Sequence, residues 1–257
     1  LSVLALQSCT DNLVYTGADI EVVLTGNTYK AAFTESSPVS TFNSGNQILL
    51  NASGSLQIDN RILTYMDNQW KAENEFSWSD LTGKTNVTAV YPVYPDLDYV
   101  QENLYKNNSL EDILYVKDEF PAGNSIHLQF KHLFSLLTLY LDRDLQTNLQ
   151  KIEVTCPAVS SIIPKSAEIV PADNETYTTT IAQVSPSGNY SFIVPPVKNM
   201  VIAINMVTNG KKYTTQLETK SFTGNKEYTY HLKTSEKTPG IITAEDWIAF
   251  SQLINSN

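Results

Sequence analysis

The run SIHLQFKHLFSLLTLYLDRD, residues 125–144, constrains the fold more than any other stretch of this 257-residue chain. From Ile126 to Phe134 apolar and polar residues alternate, which predicts an extended strand with one buried face. The residues expected on that face are Leu128, Phe130, His132 and Phe134, opposite Gln129 and Lys131. From Leu133 to Leu141 both faces are apolar, so we expect them to be covered on both sides after a bulge or bend. This strand is predicted to lie at the heart of a first domain.

The rest of the chain has the texture of an all-β protein. Short runs rich in Val, Ile, Thr, Tyr and Phe are separated by Asn, Gly, Ser and Pro, a pattern typical of strands joined by turns. The chain is longer than one sandwich usually needs, so we predict two β-sandwich domains, residues 10–145 and 146–237. The polar segment DRDLQTN marks the predicted boundary near residue 145.

Three turn signals predict hairpins. They stand between extended runs at Ser53–Gly54, Asp67–Asn68 and Asn209–Gly210. The run ADIEVVLTG precedes them, and its alternation predicts a first strand. The residues expected on its apolar side are Ile20, Val22 and Leu24.

The chain opens with the apolar run LSVLALQSC, which ends at Cys9. It is too short to cross a bilayer, which needs about 20 residues. A Leu three residues before the cysteine and a Ser directly before it resemble the lipobox of bacterial lipoproteins, and polar TDN follows. We therefore interpret residues 1–9 as the remnant of a signal peptide and predict that Cys9 is lipidated and holds the protein in a membrane. An ordinary apolar N-terminal strand is the alternative.

Residues 238–257 depart from the strand pattern. Pro239–Gly240 breaks it, Thr243 is placed as a helix N-cap with Asp246 three residues later, and apolar residues then recur at helical spacing. This predicts a short C-terminal helix, at which a further module would begin.

Charge and cysteine content exclude several classes of function. The chain has 17 Lys and Arg against 27 Asp and Glu, a net charge of −10, which predicts that nucleic acid is not a partner. Its two cysteines cannot form a disulfide framework, and the alternating run KIEVTC predicts that Cys156 is a small buried core residue. No hydrolase, metalloprotease or phosphate-loop motif occurs, so we predict no catalytic residues, no cofactor and no metal site.

The three histidines lie within strand patterns. His127 and His132 have an odd separation, so regular pleating places them on opposite faces and makes them a poor metal pair. We predict that His132 is architectural, with a hydrogen-bonded neutral ring.

Tyrosines surround the two prolines at 92 and 95. These prolines end a strand and predict an exposed, aromatic loop. Because aromatic faces stack on sugars and anchor protein interfaces, the candidate ligand-contact residues are Tyr91, Tyr94 and Tyr99. Trp70 and Trp78 are predicted to fill cores.

Four ordered segments resemble the fimbrillin-like family. The first, TYMDNQWKAENEFSWSDLTGKTNVTAVYPVY, has a strand ending in Trp, a second Trp and a strand closing on AVYP. The next contains DILYV, and the third carries Phe130, His132 and Leu137 in the pattern F-x-H-x-x-x-x-L. The last, FTGNKEYTYHLKTS, is similar to the closing strand of the family, and the likeness covers roughly residues 12 to 236.

The resemblance implies an exported lipoprotein of the outer membrane and cell surface, built from two transthyretin-like β-sandwiches, whose relatives form or cap pili. In polymerising members a protease removes the first strand, and the groove accepts a strand from the next subunit. The implied partners are therefore other pilus subunits, bound by β-strand addition, or a surface ligand of the host.

Two departures favour a tip, anchor or stand-alone adhesin over a stalk subunit. No arginine precedes Arg61, so the arginine cleavage site of polymerising subunits is missing and Lys30 becomes the candidate protease site. The C-terminal piece is predicted to be helical where the family would have a donor strand. We predict a non-enzymatic adhesion or pilus component. A surface glycan-binding lipoprotein that uses the tyrosine set is the alternative.

Overall fold

The computed structural model describes residues 20–24, 41–67, 69–72, 83–121, 126–182, 188–196 and 198–233. Within these ranges the chain forms sixteen strands, two one-turn helices and a short turn at Pro95–Leu97, which confirms the all-β prediction. Neither helix in the described ranges is long and apolar enough to cross a membrane. Cys9, Lys30, Trp78 and the predicted C-terminal helix lie outside the described residues.

The strands fall into two sets along the chain. In the first set are β1 (Ile20–Leu24), β2 (Gln47–Gly54), β3 (Ile58–Met66), β4 (Gln69–Ala72), β5 (Thr85–Tyr91), helix α1 (Gln101–Leu104), β6 (Tyr105–Lys106), β7 (Ser109–Leu110), β8 (Leu114–Phe120) and β9 (Ile126–His132). In the second are β10 (Ser135–Leu141), helix α2 (Arg143–Gln146), β11 (Leu149–Ile163), β12 (Glu168–Ile181), β13 (Asn189–Val194), β14 (Lys198–Thr208), β15 (Lys211–Ser221) and β16 (Glu227–Leu232).

A seven-stranded sheet in the order β1-β9-β8-β5-β2-β3-β4 forms the first half of the molecule. Alternate residues of its strands turn to one side and bury a common core, because successive side chains of a strand point to opposite faces. This first core consists of Phe42, Ile48, Leu50, Ala52, Ile58, Leu63, Tyr65, Trp70, Val87, Ala89, Leu114, Val116, Leu128 and Phe130. Trp70 is among them, as predicted.

Two sheets form the second half, one in the order β13-β10-β16 and the other in the order β12-β11-β14-β15. A second core lies between them, and leucines 137, 139 and 141 of β10 meet Ile152, Val154 and Cys156 of β11 in it. The arrangement is the predicted β-sandwich, and Cys156 is a buried free cysteine, also as predicted.

A third core joins the two halves. Leu49 and Val90, on the outer face of the first sheet, pack with residues of α1 and of the small β6–β7 hairpin. Leu136 and Ile193 of the three-stranded sheet, with Val159 of β11, close the other side. The outer faces of both halves are therefore partly covered where they meet.

The predicted hairpins are confirmed where their residues are described. Strand β14 turns into β15 at Asn209 (φ 49°) and Gly210 (φ 71°), since an Asn-Gly pair accepts positive φ at both central positions of a tight hairpin turn. β2 pairs with β3 as predicted, but the turn lies at residues 55–57, because Ser53 and Gly54 are the last residues of β2 and pair with β5. β3 pairs with β4 around Asp67.

The long apolar run forms two strands rather than one bent strand at the heart of the first domain. Its alternating half is β9, with Leu128, Phe130 and His132 buried as predicted. Its continuously apolar half is β10, which pairs with β13 and β16 in the second half. The chain passes from the first sheet to the three-stranded sheet at Leu133 and Phe134. β10, which is apolar on both faces, lies between two cores, whereas β9, which alternates, does not. A domain boundary at residue 145 stays a prediction.

Candidate functional site

The first strand, β1, lies at an edge of the seven-stranded sheet. It pairs with β9 in parallel over five residues, from Ile20 opposite Ile126 to Leu24 opposite Phe130. Within the described sheet β1 has no second neighbour. An edge strand leaves one row of backbone groups outside the ladder and is held by one partner alone, so it is the easiest strand of a sheet to exchange.

β9 depends on β1 for most of its pairing. Its other neighbour, β8, shares two register positions with it, Leu114 with His132 and Tyr115 with Lys131. The segment Ile126–Phe130 therefore has β1 as its strand partner within the part of the chain that the structure describes. If β1 left, this segment would lose the five-residue ladder that joins it to β1.

An apolar floor lies behind that edge. Leu128 and Phe130 are fully buried in the first core, and the Phe130 ring lies 5.9 Å from the ring of Phe42 in an edge-to-face arrangement. Phe42 also makes edge-to-face contacts with Trp70 at 5.0 Å and Tyr91 at 5.3 Å. Leu128 and Phe130 stand opposite Val22 and Leu24 in the ladder, so we expect a strand at this edge to be apolar on the same face. That the side chains of Ile20, Val22 and Leu24 fill this groove stays a prediction.

A clamp holds the chain where it leaves β9 for β10. The Nδ1 atom of His132 lies 2.8 Å and 3.0 Å from the two carboxylate oxygens of Asp112, and both side chains are buried. The His132 backbone N–H donates to Asn225 Oδ1 at 3.2 Å. His132 therefore joins three separate segments, which supports the predicted architectural role. Its ring partner is an acidic side chain that the sequence analysis did not identify.

The same clamp requires a glycine. A Cβ on Gly224 would lie 2.4 Å from the backbone oxygen of Leu133, closer than real Cβ contacts come. The Asn225 N–H donates to Phe134 O at 2.9 Å, and the Leu133 N–H donates to Ile113 O at 2.7 Å. The glycine before the last strand, part of the family resemblance, is thus explained by the close approach of two backbones.

The tyrosines proposed as ligand contacts are not exposed. Tyr94 and Tyr99 are 3% and 2% exposed, and their rings meet edge to face at 5.0 Å. Tyr99 Oη donates to Pro92 O at 2.7 Å, while the Ile162 N–H donates to Tyr99 O at 2.9 Å. The prediction of an exposed aromatic loop is therefore wrong, because β11 and the third core cover it. Tyr91 is half-buried against Phe42.

Burial also fixes the chemistry of these rings. Tyr94 Oη donates to Glu111 Oε2 at 2.6 Å, and Lys106 Nζ lies 3.1 Å from Glu111 Oε1 and 5.0 Å from the Tyr94 ring centroid. Burial, followed by the hydrogen bond to Glu111, raises the pKa of Tyr94 well above its usual value. Burial likewise raises the pKa of Tyr99. Both phenols are neutral, hydrogen-bonded core groups with no face free for a sugar.

The described residues hold no group of three or more His, Cys, Asp or Glu side chains arranged to bind a metal. Burial raises the pKa of the Cys156 thiol to about 12, which suits a packing residue rather than a nucleophile. Lipidation at Cys9 and cleavage at Lys30 concern residues outside the described ranges and stay predictions.

Solved structures share this fold at low sequence identity. A proposed cell adhesion protein of Bacteroides ovatus matches with a TM-score of 0.57 and 14% identity over 86% of this chain and 92% of its own. A proposed cell adhesion protein of Bacteroides uniformis matches with a TM-score of 0.53 and 12% identity over 83% and 92%. A fimbrial protein of Bacteroides ovatus gives 0.50 and 14% over 86% of this chain and 50% of its own.

No curated protein matches the chain by sequence. A family model does: the model described as fimbrillin-like matches residues 31–247 of the 257. The match contains β2 to β16, and therefore most of both halves of the molecule and the clamp between β9 and β10. This chain belongs to the fimbrillin-like family.

Proposed function

We propose that this protein is a non-enzymatic component of the cell surface that acts in adhesion or in a fimbrium, and that it joins other subunits by strand addition at the β1 edge. One observation carries the proposal. β1 lies at the edge of the described sheet and is held there by a five-residue parallel ladder to β9, its single strand neighbour in that sheet. Replacing β1 by an equivalent strand would therefore restore the sheet without changing the rest of the fold.

Within the fimbrium, the tip, an anchor or a stand-alone adhesin suits this chain better than a stalk position. The segment before Arg61 contains no arginine, so a trypsin-like arginine protease has no site after the first strand. Lys30 is the first basic residue and follows β1 by only a few positions. Release of β1 in this chain would then depend on cleavage at Lys30.

The direct test is limited digestion with a lysine-specific protease, followed by addition of a fluorescent peptide of sequence ADIEVVLTG. We expect the nicked protein to exchange its 1–30 fragment for the peptide and the intact protein to exclude it. Fluorescence anisotropy measures peptide binding, and size-exclusion chromatography reports the oligomeric state. We expect the nicked chain to remain monomeric before the peptide is added.

Two controls make the result specific. A Lys30→Gln variant removes the lysine-specific cleavage site, so it should take up no peptide. A peptide with Lys at the positions of Val22 and Leu24 should not bind, because it would place charges over an apolar floor. Failure of the nicked protein to bind the unaltered peptide would reject the β1 edge as the assembly site. Growth of ordered polymers from the nicked chain would reject the preference for a tip, anchor or stand-alone role.

We also propose that Cys9 anchors the protein to a membrane through acyl chains. Each buried CH₂ contributes about 0.8 kcal/mol, and two or more chains give stable anchoring. Cys9→Ser, expressed with its native leader, should move the protein from the detergent phase to the aqueous phase in detergent partitioning. Equal partitioning of the variant and the parent protein would contradict lipidation.

A further inference from the structure

The last strand of the four-stranded sheet, β15, lies at an edge of that sheet. It pairs with β14 in one unbroken register from Lys211 to Ser221, and within the described sheet it has no second strand neighbour. The opposite edge strand, β12, carries Pro171 and two register shifts against β11, which are devices that keep an edge from pairing. β15 contains no proline, no glycine and no such shift in its ladder with β14. Its outward N–H and C=O groups therefore form a continuous row for a further strand.

The core behind this edge is incompletely covered on the same side. Among the described residues, the partly buried hydrophobic side chains that pack against the second core belong to β15 and β16: Tyr213, Leu217, Tyr228, Tyr230 and Leu232. β16 is an edge strand of the facing sheet, and the short connection 222–226 joins it to β15, so the two edges lie on one side of the sandwich. An added strand would extend one of these sheets, whereas a second sandwich that presents the same side would cover both edges.

In one antiparallel register the sequence of β15 complements itself. When Thr215 lies opposite Thr215 of a second copy, Tyr213 of each copy lies opposite Leu217 of the other, and Thr214 lies opposite Gln216. Tyr213 and Leu217 lie on the face turned toward the second core, while Thr214 and Gln216 are exposed on the other face. The pairing would therefore extend the apolar rim on the inside and match uncharged polar side chains on the outside.

Charge favours the same register. It places Lys212 opposite residue 218 of the second copy, which is Glu in the sequence, and the two-fold symmetry gives this pairing twice. A register centred on residue 216 would place Lys212 opposite Lys220 instead. Opposite charges at facing positions stabilise an antiparallel pair and like charges destabilise it, so the charges favour pairing centred on Thr215.

We propose that two copies of this chain associate through their β15 edges, antiparallel and centred on Thr215, so that their four-stranded sheets join into one continuous sheet. This surface lies on the second half of the molecule, and β1 pairs in the first half, so the association is independent of strand addition at the β1 edge. A single ladder is smaller than a standard interface, which buries about 1,200–2,000 Å². We therefore expect a weak dimer that is scarce at low micromolar concentration and substantial at about 0.5 mM.

Sedimentation equilibrium of the whole chain, carrying Cys9→Ser to exclude thiol-linked dimers, measures the association. The first variant, Thr214→Lys with Gln216→Lys, places Lys opposite Lys at both outer pairs and should raise the dissociation constant roughly tenfold. Because the net charge of the chain is −10, these lysines lower its overall charge repulsion. A general charge effect would therefore strengthen association, whereas local pairing at the β15 edge predicts that it weakens.

The second variant, Thr214→Glu with Gln216→Glu, should also associate poorly by itself. An equimolar mixture of the lysine and glutamate variants should associate at least as well as the parent chain, since opposite charges then face each other. The matched control is Thr176→Lys with Thr178→Lys on β12, which adds the same charge at two exposed positions on the other edge of the sheet. This control should not weaken association, and thermal melts verify that every variant is folded.

Three results would overturn the proposal. The first is a parent chain that stays monomeric at about 0.5 mM, which would leave this edge to a different partner. The second is a lysine variant that associates as well as the parent, and the third is a mixture of the two variants that fails to recover association. All of these measurements use the intact chain, so their outcome does not depend on release of β1.

Discussion

Strands β9 and β10 come from one apolar run and are separated by two residues, yet their surroundings differ completely. β9 exposes Gln129 and Lys131 on one face, and five of its seven residues pair with the edge strand β1. β10 is the central strand of its sheet, with six register positions to β13 on one side and six to β16 on the other. β9 is thus paired mainly with one strand at the edge of a seven-stranded sheet, whereas β10 is paired along almost its whole length on both sides.

The difference shows how one apolar run can supply strands to two different sheets. Three leucines of β10, at 137, 139 and 141, lie in the second core, while Leu136 on the opposite face lies in the third core and Thr138 on that face is also buried. The clamp around His132 and Gly224 stands between the two strands. Loss of structure in β9 should therefore not extend past the clamp. The second sandwich should remain folded when β1 is removed.

The largest effect is expected from a cavity in β10. Leu139 is fully buried in the second core, so Leu139→Ala should lower the free energy of unfolding by about 2–5 kcal/mol. Gln129→Ala, on the exposed face of β9, should change it by less than about 0.5 kcal/mol. Urea unfolding followed by intrinsic fluorescence measures both. A loss below about 1 kcal/mol for Leu139→Ala would show that β10 is not the fixed element.

An intermediate effect is expected at the clamp. His132→Ala removes the imidazole partner of the buried Asp112 carboxylate and leaves a cavity, so it should cost about 1–3 kcal/mol. Lys131→Ala, exposed on the neighbouring position, is the matched control. A double-mutant cycle with Asp112→Asn measures the coupling between the two side chains. Normal thermal stability of His132→Ala, combined with loss of ligand or metal binding, would contradict the architectural role.

The smallest effect is expected in the second core after β1 is cut free. In a Cys9→Ser protein, Cys156 is the sole cysteine, and burial raises the pKa of its thiol to about 12. At pH 8 little of this thiol is ionised, and its burial also keeps iodoacetamide away from the sulfur. We expect slow alkylation at the same rate before and after cleavage at Lys30. Mass spectrometry of the intact chain measures the rate. Faster labelling of the nicked protein would show that the clamp transmits unfolding from the first half of the molecule to the second.

Local patterns in the sequence were enough to predict the local structure. The alternation in β9 predicted which side chains are buried, and Asn209–Gly210 predicted the β14–β15 hairpin because two adjacent positive φ angles favour that pair. The continuous apolarity of β10 correctly indicated two covered faces. It could not indicate which strands cover them, since β13 and β16 follow much later in the chain.

The candidate sites depended more on tertiary contacts. Tyr94 and Tyr99 follow prolines, as exposed loop residues often do, but they are covered by the third core, whose members lie far away in sequence. The contact between His132 and Asn225 spans 93 residues. The hydrogen bond from the Asn60 N–H to Asn51 Oδ1 lies beside a register shift between β2 and β3, and no periodicity in the sequence indicates it.

The parallel pairing of the outermost described strands has a mechanical consequence. β1 runs parallel to β9, and β16 runs parallel to β10, while β9 and β10 are joined directly. A tension applied at Ile20 and Leu232 would pull β1 at its first residue, while β9 would be pulled at its last residue through β10. These two parallel strands would therefore slide along each other. The parallel strands β10 and β16 would be sheared in the same way. Every hydrogen bond of each ladder would then bear force at once instead of opening one after another. We expect the fold to resist stretching between its ends more strongly than its thermal stability indicates, and single-molecule pulling between those two positions measures that resistance.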